Sequence, residues 1–145
     1  SRPLPVPIVS LDTNLDVPVY AYAGDGGVDL RAAEEAVLAP FERRLVPCGI
    51  SIAIPEGYAG FVLPRSGLAV KHGNRLYAPG LIDSNYRGEI KAVLVNLDPR
   101  EPFEIKHGDR IAQLVVMRVE NVRFENCEAL SESGRGAGGF GSSGI

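Results

Sequence analysis

The sequence predicts an all-β domain. Three observations carry this: apolar residues alternate or cluster in short β-branched runs, helical periodicity is nearly absent, and Gly, Pro, Asn and Asp cut the chain at short intervals. Strands are expected at 6–11, 28–32, 45–54, 60–63, 89–96, 110–119 and 122–124. Within 45–54, Ile50, Ile52 and Ile54 alternate with Ser51 and Ala53, so one face should turn inward. The runs 90–95 and 111–117 are almost continuously apolar, as in strands covered on both faces. Pro40, Pro55-Glu56-Gly57, Asp98-Pro99 and His107-Gly108-Asp109 supply the turn chemistry between them. Many short strands at this spacing fit a β-sandwich, barrel or jelly roll. One segment departs from the pattern. Residues 66–72, closed by Gly73, read as a short helix with Ser66 as N-cap and a glycine C-cap.

From residue 131 the composition shifts. SESGRGAGGFGSSGI holds six glycines, with Phe140 and Ile145 as its large apolar groups. Such a segment buries too little apolar area to offset its chain entropy and is expected to be mobile. The expected organisation is a β domain over 1–130 and a flexible Gly-rich C-terminal arm over 131–145. At 145 residues the chain fits one domain. Fifteen basic against 18 acidic residues, net charge −3, give no footprint for nucleic acid or an anionic membrane. No apolar run approaches the ~20 residues of a membrane span. No basic segment leads into an apolar one as in a signal peptide, so a cytoplasmic location is expected. Cys48 and Cys127 make neither a disulfide framework nor a Cys-x-x-Cys site; small buried apolar roles in a reducing compartment are expected.

Several segments hold candidate chemistry. Pro64-Arg65-Ser66-Gly67 stands at a strand-to-helix junction, where free N–H groups and a guanidinium fork suit phosphate oxygens. In isolation Ser66 could simply cap the helix. Residues 79–89 bracket a tight excursion between Pro79-Gly80 and Arg87-Gly88, with Asp83 and Tyr86 near its tip. Asp83 could serve as a base toward water, or merely close an Asx-turn. AGDGGVDL at 23–30 puts Asp29 at a strand start, where one carboxylate could orient a hydrated magnesium ion, or the segment could be a plain turn. The two histidines and two cysteines lack the spacing of a zinc or iron site. The arm is no P-loop: Gly136-x4-Gly141 is followed by serines where a lysine is required.

Taken in order, AGDGGVDL (23–30), PRSGLA (64–69), PGLIDSNYRGEI (79–90), GDRIAQL (108–114) and RGAGGFGSSG (135–144) resemble the five sequence blocks of the trimeric dUTP pyrophosphatase family. The resemblance implies a jelly-roll-like β-clip fold and a homotrimer whose three sites each draw on all three chains. It implies hydrolysis of dUTP to dUMP and pyrophosphate with Mg2+, which supplies dUMP and keeps uracil out of DNA. By position, Asp83 matches the base that activates water for attack on the α-phosphate. Tyr86 matches the ring that packs on deoxyribose, where a 2′-hydroxyl would clash. Arg65, Ser66 and Gly67 match the phosphate block, Gln113 a further phosphate contact, and Asp29 the carboxylate at the magnesium water shell. Arg135 matches the arm's phosphate arginine and Phe140 the aromatic that covers uracil, with Gly141 and Ser142 beside them. Gly80, Leu81, Ile82 and Lys91 fall at substrate-contact positions. Backbone hydrogen bonds from the 80–83 hairpin would select uracil, since a mismatched buried polar group costs about 1–3 kcal/mol.

Two departures stand out. Many relatives carry Asn before the Ser/Ala-Pro-Gly of the third block. Here Tyr77-Ala78-Pro79-Gly80 occurs, one residue closer to Gly67, and Tyr77 is not expected to donate to the base. The arm reads Gly-Ser-Ser-Gly where Gly-Ser-Thr-Gly is commoner, and Ser143 keeps the hydroxyl. The rival expectations are a dCTP deaminase of related fold and a catalytically silent nucleotide-binding or regulatory module.

Overall fold

A computed structural model describes residues 2–66, 74–76, 79–141 and 143–144. Strands follow one another along the chain: β1 (Ile8–Ser10), β2 (Val28–Arg31), β3 (Ala36–Leu38), β4 (Arg43–Pro47), β5 (Ile50–Ile52), β6 (Tyr58–Leu63), β7 (Asn74–Leu76), β8 (Gly80–Ile82), β9 (Lys91–Asn96), β10 (Phe103–Ile105) and β11 (Arg110–Arg118). They pair antiparallel in the orders β1-β5, β10-β3, β2-β11-β6-β8 and β4-β9-β7. The all-β expectation holds. The helix expected at 66–72 lies, beyond Ser66, outside the described residues, as does Tyr77. No helix of the described residues is long and apolar enough to cross a membrane.

Between the sheets sits one core, with Leu30, Leu38, Ile54, Ile90, Leu94, Ile105 and Ile111 almost fully buried. The alternation in 50–54 does what it predicted: Ile50, Ile52 and Ile54 are buried. The run 45–54 is nonetheless two strands rather than one. Gly49 breaks it with a φ of 73°, a left-handed conformation that glycine adopts without penalty. At that corner the Gly49 amide donates to a Glu89 carboxylate oxygen at 3.0 Å, and the chain passes from pairing β9 to pairing β1.

Two further expectations fail. Residues 122–124 form no strand, and Val122 and Phe124 stand exposed. Valine and aromatic residues favour a pleated, half-buried surface, and no described strand pairs with this segment. Cys48 is buried, with its thiol pushed up to about 12 by desolvation first and by Glu89 second, but Cys127 is exposed. It follows the same stretch without strand pairing, and no described residue covers it.

Candidate functional site

The largest sheet carries the charged half of the site. β11 is its central strand, pairing β2 on one side and β6 on the other. Gln113 of β11 faces Asp29 of β2 and Leu63 of β6, so Asp29, Gln113 and the end of β6 form one row. Pro64 follows at once and cannot donate to a ladder, and β6 ends there. Gln113 Nε2 donates to the Pro64 carbonyl at 2.9 Å, which leaves its Oε1 as an acceptor on the far side of the amide.

Arg65 is held twice. Its Nε lies 3.1 Å from Asp29 Oδ1, and its Nη1 donates to the Arg110 carbonyl at 3.1 Å. Arg110 also brings its own guanidinium to 3.9 Å from Asp29 Oδ2. The Arg65 and Asp29 side chains are 26% and 31% exposed, open enough to meet a ligand. Arg31, opposite Arg110 in the β2–β11 ladder, donates to the Gly108 carbonyl at 2.9 Å. Three arginines gathered at this end of the sheet make a local positive site on a chain whose net charge is negative. Arg31 and Arg110 were not singled out from the sequence; two basic residues opposite each other across a ladder are invisible until the register is known.

The second half forms on β8 and the turn after it. Leu81, Ile82, Tyr86 and Lys91, with Leu45, Val62, Gly80, Glu89 and Ile90, line a cavity of about 400 Å³. Asp83 follows β8, and its carbonyl accepts the Tyr86 amide at 3.1 Å, closing the turn. Tyr86 Oη donates to the Glu89 carbonyl at 2.9 Å, and Arg87 Nη1 donates to the Ser84 carbonyl at 2.7 Å. Asp83, the Tyr86 ring and the hairpin backbone therefore belong to one braced turn.

The two halves do not meet within one chain. Val62 faces Gly80 and Gly60 faces Ile82, so Asp83 lies toward the start of β6 while Asp29 lies level with its end. Three strand spacings across and four residues along put their backbones roughly 20 Å apart. The Arg65 fork points toward Asp29, away from β8. Among the described residues of the arm, Arg135 Nε donates to the Gly138 carbonyl, and Phe140, at a φ of 46°, is fully exposed. Gly141 is exposed nearby; Gly67 and Ser142 lie outside the described residues.

The family model described as dUTPase matches residues 13–144. The chain belongs to the dUTPase family. It is 56% identical over 140 residues to a deoxyuridine 5′-triphosphate nucleotidohydrolase of Thermobifida fusca, covering 96% of this chain and 78% of that protein. A namesake from Corynebacterium glutamicum is 53% identical over 140 residues, covering 96% of this chain and 94% of the relative. Among solved structures, the Staphylococcus bacteriophage 80alpha dUTPase with dUpNHpp superposes at a TM-score of 0.90 and 28% identity, over 97% of this chain and 99% of that one. A point variant of the dUTPase from phage phi11 of S. aureus, described with a coordinated structural Mg(II) ion, superposes at 0.81 over 87% of this chain and 98% of its own; at 24% identity it shows the fold alone. These neighbours share the β-clip, jelly-roll fold of the dUTPases.

Proposed function

We propose that this dUTPase-family chain hydrolyses dUTP to dUMP and pyrophosphate in a homotrimer whose sites are built from three subunits. The observation that carries the reading is the roughly 20 Å between two chemically complementary halves, each well formed and neither sufficient alone. A second copy that sets its β8 turn against the first copy's Arg65 would complete the site, and a third copy's arm would close it. Arg65, Ser66, Gly67 and Gln113 bind the phosphates, and Arg135 joins them from the arm. Gly80, Leu81 and Ile82 present backbone groups to uracil, Tyr86 walls the deoxyribose, and Lys91 borders the cavity. Phe140 covers the base, and Gly141 and Ser142 wrap the phosphates. Such closure excludes water other than the reacting one.

Asp83 takes the proton from that water as its oxygen attacks the α-phosphorus. The α-phosphorus bond to the bridging oxygen breaks, and pyrophosphate leaves with the electron pair. The residues present fit magnesium carried in by the substrate rather than held in a protein cage. Among the described residues no group of three or more His, Cys, Asp or Glu could hold a metal ion, and Asp29 is a single partly exposed carboxylate suited to accept from metal-bound water. Bound there, the ion would neutralise charge on the phosphate oxygens. The triphosphate would also draw the Arg65 fork from its partly exposed pair with Asp29, which solvent still screens.

The reading is tested by pyrophosphate release from dUTP, dCTP, dTTP and UTP with magnesium, for the unaltered chain and Asp83→Asn. Turnover confined largely to dUTP, and lost in the variant, is expected. Ammonia from dCTP would move the chain to deaminase chemistry, and turnover undiminished by Asp83→Asn would remove Asp83 as the base.

A further inference from the structure

We infer that Gly88 is a positioning and specificity-determining residue, whose missing side chain fixes where the Tyr86 ring stands and so sets the discrimination between deoxyribose and ribose. The inference rests on the proposed role of Tyr86 as the sugar wall. A Cβ on Gly88 would lie 2.4 Å from Tyr86 Oη, 2.6 Å from Cζ and 3.0 Å from Cε1. Real contacts of that kind do not occur below about 3 Å, so the tip of the ring would have to shift. The backbone gives no other reason for glycine here: unlike Gly24, Gly49 and Gly57, Gly88 does not have a positive φ. It is there because the ring is there.

The ring cannot shift without consequence. Its Oη donates to the carbonyl of Glu89, the next residue, at 2.9 Å, so the phenol folds back over Gly88. The Glu89 carboxylate accepts the Gly49 amide at 3.0 Å, tying that end of the turn to the corner between β4 and β5. The other end is tied by the Tyr86 amide to the Asp83 carbonyl. The ring meets the glycine and also lines the cavity with Leu81, Ile82 and Lys91. The ring of Tyr86, a residue 43% exposed, is braced by its hydrogen bond to the Glu89 carbonyl and by the absence of a side chain at Gly88, and a braced wall can refuse a hydroxyl that a mobile wall would admit.

Gly88→Ala tests this, with kcat and KM for dUTP and UTP measured in the unaltered chain, the single variants Gly88→Ala and Tyr86→Leu, and the double variant. A small misplacement of a positioning group costs roughly 10- to 100-fold, and Gly88→Ala should reduce the dUTP-over-UTP ratio of kcat/KM by about that factor. In the Tyr86→Leu background the same alanine has no ring to displace and should cost less than about 2-fold further. An unchanged sugar ratio in Gly88→Ala, or an equal cost in both backgrounds, overturns the inference. A single variant that fails to fold while the double variant folds supports it; failure of both to fold overturns it. Should Tyr86→Leu itself keep the full preference for dUTP, the assignment of Tyr86 falls, and Gly88 falls with it as a specificity residue.

Discussion

Two inactive variants should restore each other. Asp83→Asn leaves every charged half intact, and Arg65→Ala leaves every β8 turn intact, so each homotrimer alone has three damaged sites. A co-refolded 1:1 mixture assembles sites in which Arg65 comes from one chain and Asp83 from another. With random association, half of the charged halves carry Arg65 and half of the turns facing them carry Asp83, so about one quarter of the sites are whole. The separation of roughly 20 Å between Asp29 and Asp83 in one chain makes this prediction sharp, because a site within a single chain would contain a lesion in every mixture. The assay is pyrophosphate release from saturating dUTP, with mixing confirmed by two different affinity tags purified in succession. Activity near one quarter of the unaltered trimer is expected across the whole mixture, and somewhat more in the doubly tagged fraction, from which the inactive parent trimers have been removed. Activity no higher than that of the separate parents, in a fraction shown to be mixed, would refute the shared site.

Two other perturbations separate stability from function. Asn96 is fully buried; its Nδ2 donates to the Leu38 carbonyl at 3.0 Å and the Glu101 carbonyl at 2.9 Å, and its Oδ1 accepts the Asp98 amide at 2.9 Å. Asn96→Ala leaves these groups without their partner and should cost about 2–4 kcal/mol. That is a fall of roughly 5–15 °C in Tm by calorimetry at fixed chain concentration, and a loss below about 0.5 kcal/mol would show that water or repacking replaces the amide. Removal of residues 135–145 should leave a folded trimer, seen by sedimentation, with turnover reduced by about 100-fold or more; unfolding would make the arm structural, and undiminished turnover would remove it from the site.

The strands that carried a visible period were legible. Ile50, Ile52 and Ile54 alternate in the sequence and are buried in the core; the apolar run of β11 is covered on both faces only in part, with Ile111, Ala112 and Leu114 buried and Met117 45% exposed. β3 and β10 were not legible. Each has three residues, Ala36–Leu38 and Phe103–Ile105, too few to show alternation, and they exist because they pair with each other. The opposite error at 122–124 has the same root, since an alternating apolar triplet is a strand only where a partner edge meets it. For the site, the five ordered blocks pointed to the residues, and the fold brings Asp29, Arg65 and Gln113 into one group and Leu81, Ile82, Tyr86 and Lys91 into another. The gap between the groups depends on the register of β6 against β8, which no local pattern encodes. Gly88 was legible as turn punctuation, but its contact with a ring two residues earlier required coordinates.

The Asp29–Arg65 pair shows how such a divided site can be ready before substrate arrives. A lone guanidinium at the end of β6 would sample many rotamers, and ordering it on binding would cost affinity. Asp29 and the Arg110 carbonyl hold it in one direction beforehand. A fully buried carboxylate would hold it too firmly, because separating a desolvated pair exposes a strong penalty. At about a quarter to a third exposed, the pair is solvated enough to yield its fork to a triphosphate whose oxygens match the same geometry. Asp29 would then be released to accept from the hydrated ion that accompanies the phosphates. In the proposed site one carboxylate would orient the arginine before binding and the metal's water shell afterwards, which would account for a negative residue among phosphate-binding groups.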